Sequence, residues 1–561
     1  MTINKTNKLQ ISCSIIGFFL LTGGSQTLRS EEHEIRRVLL ISIDGMHALD
    51  FFNCSKGIGS ANGGQPYCPN LEELSDTGVN YLRASTSKPS DSFPGLMAQV
   101  TGGSPRTTGI FYDVSYDRAL SPPTTTTPGG IPGDPGFCPS IKGTQVGYEE
   151  EIDINKLDLF GGGGINPNFL PRDPKHSCAP VYPHSYLRVN TIFEVVKASG
   201  GYTAWTDKHP AYEIVNGPSG HGVDDFFGPE INSAPVSIPQ VPGCNPLPDQ
   251  TAVDPNKDDY TTSFENIKCY DSLKVQAIIN QIDGKTHDGS AHAPVPTVFG
   301  MNFQAVSIGQ KLNQLSNGVT GGYKGAMGTP SDALLSEIKF VDSSIGKMVT
   351  ELKHKGLYDS TLIIVSAKHG QSPIDPHRLQ RITFDIPGSI APSDVLGGLG
   401  NGLPAGSQGS TPVAQADEDD ISELWLTDPS QTGSAVAKLE AHAAEAGIGE
   451  IFWGSPLKLM FNDPRRDSRT PDIIVTPNVG VVYTGKNKKL AEHGGFANDD
   501  TNVMLLVARP GVHADTITSP VETTQIAPTI LKALGLDPNQ LQAVQKEHTQ
   551  LLPSLSFRCE H

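Results

Sequence analysis

The chain has 561 residues, 37% hydrophobic and 18% charged, a balance that supports a buried core and excludes disorder of the whole. A formal net charge of −18, with no Lys/Arg run, argues against a nucleic-acid duplex or an anionic membrane surface as partner. Gly and Pro gather between residues 120 and 260 and between 385 and 415, which marks loop insertions near 115–190, 208–290 and 375–455.

Taken in chain order, the first segment reads as an export signal. Lys5 and Lys8 precede an apolar run from Ile11 to Leu21, and the small residues Thr22-Gly23-Gly24-Ser25 follow. The run is too short for a stable membrane span, so a signal peptide over 1–28 is expected, cleaved near residues 24–30. A buried first helix is the competing reading. Residues 29–561 would then form one domain, secreted or periplasmic.

Export makes disulfides plausible. Proximity suggests Cys54 with Cys68, Cys138 with Cys178 and Cys244 with Cys269, leaving Cys559 odd; other connectivities and free thiols stay open. Asn53-Cys54-Ser55 also fits an N-glycosylation acceptor, meaningful only in a eukaryotic source.

The run Arg37–Ile43 is β-branched, apolar and continuous, as in a strand buried on both faces of a parallel sheet, and it ends in Asp44-Gly45. A helical stretch from Gly95 to Val100 follows Ser92. Tyr202–Trp205 is strand-like, and the next residues bring Lys208 or His209 toward the same rim. Thr297–Met301 is a strand ending at Asn302. Apolar residues recur at helical spacing from Ser331 to Lys355, where Asp342 reads as structural or solvated, and Thr361–Ser366 is a strand ending at Lys368-His369. Runs at 472–475 and 502–507 add strands, and Gln525–Leu534 closes the chain as a helix. The class is α/β, with a mostly parallel sheet and helices on both faces. In such a sheet Asp44, Asn302 and Lys368-His369 would converge at one carboxyl edge.

Four motifs lie in order along this scaffold: Ile43-Asp44-Gly45; Asp91-Ser92-Phe93-Pro94-Gly95 leading to Thr101-Gly102-Gly103; Ala367-Lys368-His369-Gly370; and Glu492-His493-Gly494-Gly495-Phe496. Together they resemble the signatures of the type I phosphodiesterase/nucleotide pyrophosphatase family of the alkaline-phosphatase superfamily. The resemblance implies an alkaline-phosphatase-like fold and an exported, metal-dependent hydrolase of small phosphate esters. It makes Ser92, rather than Ser90, the nucleophile, with Asp44 and His369 as ligands of the ion that activates it and His493 as the last metal-binding histidine. A helix-capping serine is the plainer alternative for Ser92.

Three expected ligands are changed. Lys368 stands where two-zinc members carry Asp, and Asn302 and Val306 stand where they carry Asp and His. One divalent ion, zinc by its N/O donors, is therefore expected rather than two, bound by Asp44, His369 and Ser92 with Asn302 as a further ligand. Lys368 would supply the missing positive charge, and His493 and His209 would contact substrate. Two alternatives stand beside this. A sulfatase-like hydrolase is half supported, since Ser92 and Pro94 fit that signature while Leu96 replaces its Arg; a catalytically inactive anion-binding protein would account for the lost ligands.

Overall fold

The computed structural model describes residues 34–557 apart from 124–141, 161–162, 240, 243, 245–258, 315–316, 383–385, 387–388, 398–411, 485–488 and 511–513. The proposed signal peptide, Cys138 and Cys559 lie outside the described residues.

The strands that matter here are β1 (Arg37–Ile43), β2 (Gly78–Tyr81), β3 (Ala204–Thr206), β4 (Asp225–Phe227), β5 (Val298–Phe303) and β6 (Thr361–Ser366). They are followed by β7 (Val413–Glu418), β8 (Ser422–Leu426), β9 (Ile448–Trp453), β10 (Ile473–Pro477), β11 (Leu505–Ala508) and β12 (Asp515–Ile517). The main helices are α1 (Ser92–Thr101), α2 (Phe264–Ile282), α3 (Asp332–His354) and α4 (Ile526–Ala533).

Eight strands form the central sheet in the order β12-β2-β11-β6-β1-β5-β3-β4. Pairing is parallel throughout except for β11, which runs against both β6 and β2. The expectation for 502–507 is thus met as a strand, but one of reversed direction that begins at Leu505. The run at 472–475 belongs to a separate antiparallel sheet, β7-β8-β10-β9.

The central strands are apolar on both faces because helices cover both. Helices α1, α4 and Ile192–Ala198 pack on one another as one layer; α2, α3, Ala305–Lys311 and Pro69–Asp76 form another. In β1, Val38, Leu39, Leu40, Ile41 and Ile43 have no exposed surface, and each such side chain contributes about 1.5–3 kcal/mol of burial. Helix α3 buries Leu334, Ile338, Val341, Ile345, Met348 and Leu352, the stripe its periodicity gives. Asp342 is structural: it accepts from Leu71 N at 2.8 Å and Asn70 Nδ2 at 2.7 Å, satisfying the start of the helix at Pro69–Asp76.

Disulfides join Cys54 to Cys68 and Cys244 to Cys269, as proximity suggested. The glycosylation reading of Asn53 is overturned. Its side chain is buried, and Nδ2 donates to Met327 O at 3.0 Å, so the acceptor nitrogen is already engaged.

Candidate active site

Register brings the strand ends level. Ser42 of β1 lies opposite Asn302 on β5 and Ser366 on β6, so Asp44, Asn302 and Lys368-His369 leave the sheet at one edge. Helix α1 presents Ser92 to that edge. Its N-cap is Asp91, whose side chain accepts from Phe93 N at 2.8 Å, so Ser92 is the first helical residue and its hydroxyl is released from capping. The close approach requires glycine at position 95, where a Cβ would stand 2.2 Å from Lys368 O. Hydrogen bonds between Ser90 and Gly494 tie the His493 loop to the nucleophile loop.

Ser92 Oγ sits 3.2 Å from Asp44 Oδ2, 3.1 Å from His369 Nε2 and 2.9 Å from Lys208 Nζ. His369 Nδ1 is hydrogen-bonded to Gly370 O at 2.8 Å, which leaves the Nε2 lone pair facing Ser92. Asp44 is fully buried and accepts from Asn302 Nδ2 on Oδ1 (2.7 Å) and from Gln304 Nε2 on Oδ2 (2.6 Å). Asn302 thus meets the site by holding Asp44 through its nitrogen, while its oxygen accepts from Gln304.

The two lysines divide their duties. Lys368 is fully buried and donates to both oxygens of Asp207 at 2.7 and 2.9 Å, with its ammonium 4.0 Å from the Tyr212 ring centre. Lys208 reaches Ser92, with its ammonium 3.7 Å from Asp44 Oδ2. His209 is held at Nδ1 by Glu230 (2.8 Å) and stacks on Tyr212, which in turn stacks on Phe93. His493 packs against His369 with ring centres 4.0 Å apart, and Val306 is a buried apolar residue.

Burial opposes ionisation of Asp44, but Lys368, His369 and Lys208 outweigh it and hold the carboxyl well below its ordinary range. Burial also opposes the Lys208 charge, yet Asp44, Asp91 and Asp207 keep it above the usual lysine value. Burial lowers His369, offset only partly by Asp44; burial and the adjacent His369 hold His493 well below the imidazole range. Both rings are thus biased toward the neutral form, and the nucleophile stands between a carboxylate and an ammonium.

The sequence is similar to a known family. The family model for type I phosphodiesterase/nucleotide pyrophosphatase matches residues 38–129 and 321–499, which include Asp44, Ser92, Lys368, His369 and His493. Over those two segments the chain is similar to the type I phosphodiesterase/nucleotide pyrophosphatase family. It is accordingly a phosphoric ester hydrolase, and that family is generally metal-dependent. No curated protein sequence matches the chain. Similar solved structures include murine ectonucleotide pyrophosphatase/phosphodiesterase 5, at 14% identity and a TM-score of 0.48 over 90% of this chain and 96% of that one. An inactive variant of the same murine protein in complex with AMP gives 13%, 0.49, 90% and 96%. The human counterpart gives 12%, 0.48, 89% and 95%.

Sequence reasoning missed Asp207, Gln304 and Glu230. Asp207 had a legible signal: it shares a strand end with Lys208, and a lysine in place of a ligand aspartate calls for a buried counter-charge.

Proposed function

We propose that this chain hydrolyses small phosphodiesters by nucleophilic attack of Ser92. The observation that carries the reading is the position of Ser92 Oγ, within 3.2 Å of Asp44, His369 and Lys208. Its proton has Asp44 Oδ2 and His369 Nε2 as acceptors, and the Lys208 ammonium stabilises the negative charge that develops on Oγ. Oγ bonds to phosphorus as the bond to the leaving oxygen breaks, that oxygen departing as the alcohol with the proton Ser92 gave up; water then attacks the same phosphorus, the P–Oγ bond breaks, and Ser92 regains its hydroxyl as the phosphomonoester leaves. Lys208 takes the substrate contact expected of His209. Lys368, locked to Asp207, sets the potential around Asp44, and His493 borders the space for the ester oxygens.

The residues fit one divalent ion. Asp44 Oδ2, Ser92 Oγ and His369 Nε2 lie 3.1 to 3.6 Å apart, close to the ~3.4 Å edge spanned by ligands on a tetrahedral ion with bonds of about 2.1 Å. A carboxylate, a hydroxyl and an imidazole suit zinc. When bound, such an ion would polarise the hydroxyl and the ester oxygens. A second ion is disfavoured by Val306, by the Asn302 nitrogen turned to Asp44, and by the Lys368 charge.

Export is the second part of the proposal, supported by the N-terminal pattern and the two disulfides. N-terminal sequencing of material from the culture medium or periplasm should begin near residues 24–30, and recovery of Met1 would count against it. For the chemistry, Ser92→Ala should lose roughly 10³-fold or more of the turnover of a chromogenic aryl phosphodiester while keeping the fold. Retention of most of the rate would remove Ser92 from the mechanism.

A further inference from the structure

Tyr212 is buried beside the nucleophile, yet neither the attack on phosphorus nor the metal triangle uses its hydroxyl. It follows β3 in the 3₁₀ segment Pro210–Asn216, and its side chain has no exposed surface. Three groups fix its ring. Phe93 stacks on it with ring centres 4.4 Å apart, His209 stacks at 6.1 Å, and the Lys368 ammonium stands 4.0 Å from its centre. Phe93, His209 and Lys368 are the chain neighbours of Ser92, Lys208 and His369. The ring is therefore held by the same three backbone segments that bring the nucleophile, its ammonium and its imidazole together.

The phenol oxygen at the end of this ring is closed to solvent, and no described residue hydrogen-bonds to it. Buried tyrosine hydroxyls ordinarily find a partner, because an unmet donor forfeits its hydration. The groups that act on this hydroxyl belong to the site: the carboxylates of Asp207, Asp44 and Asp91, and the hydroxyl of Ser92. Burial first, and then those three carboxylates, push the phenol well above its ordinary range, and Ser92 offsets only part of this. At neutral pH it keeps its proton and stands as a donor.

An acceptor arrives with the substrate. A phosphoryl group attached to Ser92 Oγ carries its nonbridging oxygens one bond beyond phosphorus, within reach of a donor beside Oγ. Those oxygens bear the charge spread over the group in transfer, and a donor fixed in advance needs no reorganisation to meet it. We propose that the Tyr212 hydroxyl donates a hydrogen bond to a nonbridging oxygen of the phosphoryl group while Ser92 attacks it. The proposal rests on the reading of Ser92 as nucleophile. Lys208 then serves Oγ itself and Tyr212 the group being transferred, and a neutral donor does so without adding a third cation beside Lys208 and Lys368.

The test is Tyr212→Phe, which keeps the ring with its stacking and its cation contact and removes only the hydroxyl. Orthovanadate, which adopts the five-coordinate geometry of phosphoryl transfer on a serine oxygen, is the probe, its affinity read from the rise in Tm on titration. Without vanadate the Tm of the variant should equal or exceed that of wild type. Its vanadate affinity should fall at least ~10-fold, and its kcat on a chromogenic aryl phosphodiester should fall roughly 10²-fold, the scale of losing one donor to a developing anion. A lower Tm in the variant without vanadate would show that the hydroxyl has a partner within the protein and would overturn the proposal. Equal vanadate affinity overturns it even if the rate falls, because the hydroxyl would then serve Oγ or the packing. Absence of vanadate binding by wild type overturns it as well. A wild type that cleaves no diester but binds vanadate through Tyr212 would keep this contact and defeat the phosphodiesterase reading instead.

Discussion

Lys208 and Lys368 carry the same charge into the same site, but the structure gives them different consequences on substitution. Lys208 donates to Ser92 and retains some exposure, so Lys208→Ala should leave stability nearly unchanged and lower kcat by roughly 10²–10³, the scale of losing one donor to a developing anion. Lys368 is buried against Asp207, so Lys368→Met should cost about 3–5 kcal/mol of stability by stranding that carboxylate. Adding Asp207→Asn should recover part of the loss. Denaturant unfolding beside steady-state kinetics separates the cases; equal loss of stability in both single variants would contradict the division. The sequence showed that the end of β3 reaches this rim. It did not show whether Lys208 or His209 faces Ser92, because the choice rests on loop torsions that turn His209 into the cap of the following 3₁₀ segment, toward Glu230.

Among the elements, α3 shows which structural features the pattern reveals and which it hides. Its apolar stripe is legible at a period of 3.6, and so are β1, β5 and β6 as buried parallel strands. The sheet to which 473–477 belongs and the direction of 505–508 are not, since an apolar run reads the same in either sheet and either sense. Glu337, polar in sequence, also turns inward on α3, with both oxygens unpartnered and Lys268 as far as 3.9 Å away. Burial pushes its carboxyl up to about 9; Lys268 offsets only part of this, and Asp271 adds to it. Above the ordinary glutamate value near 4.3 the unfolded chain has released this proton while the folded chain keeps it, so stability falls as pH rises toward about 9. The slope is at most about 1.4 kcal/mol per pH unit. Glu337→Gln should flatten that decline, with its Tm advantage over wild type growing from pH 5 to pH 8; a constant difference would show that Glu337 is ionised in the folded chain.

At the scale of the whole molecule, four short motifs spread from residue 43 to residue 496 become one site because the sheet aligns the ends of β1, β5 and β6 and α1 closes on them at Gly95. That convergence was legible, since polar residues ending separate parallel strands have one edge to share. The charge balance was not, because it depends on Asp207 and Gln304, which no motif marks. It is also what decides the metal content. Two ions close together need several anionic ligands to offset their repulsion, and here Asp44 is shared among His369, two amide donors and the Lys208 ammonium, while Lys368 adds charge of the wrong sign. Elemental analysis of protein purified without added metal and passed through EDTA should therefore return about one tightly held equivalent of a zinc-like ion per chain. Asp44→Asn should lose it, because a neutral amide can no longer offset the ion's charge beside two lysines. Two tightly held equivalents that both vanish in Asp44→Asn would restore the two-ion centre typical of the family, and a full equivalent surviving in that variant would place the tight ion away from Ser92.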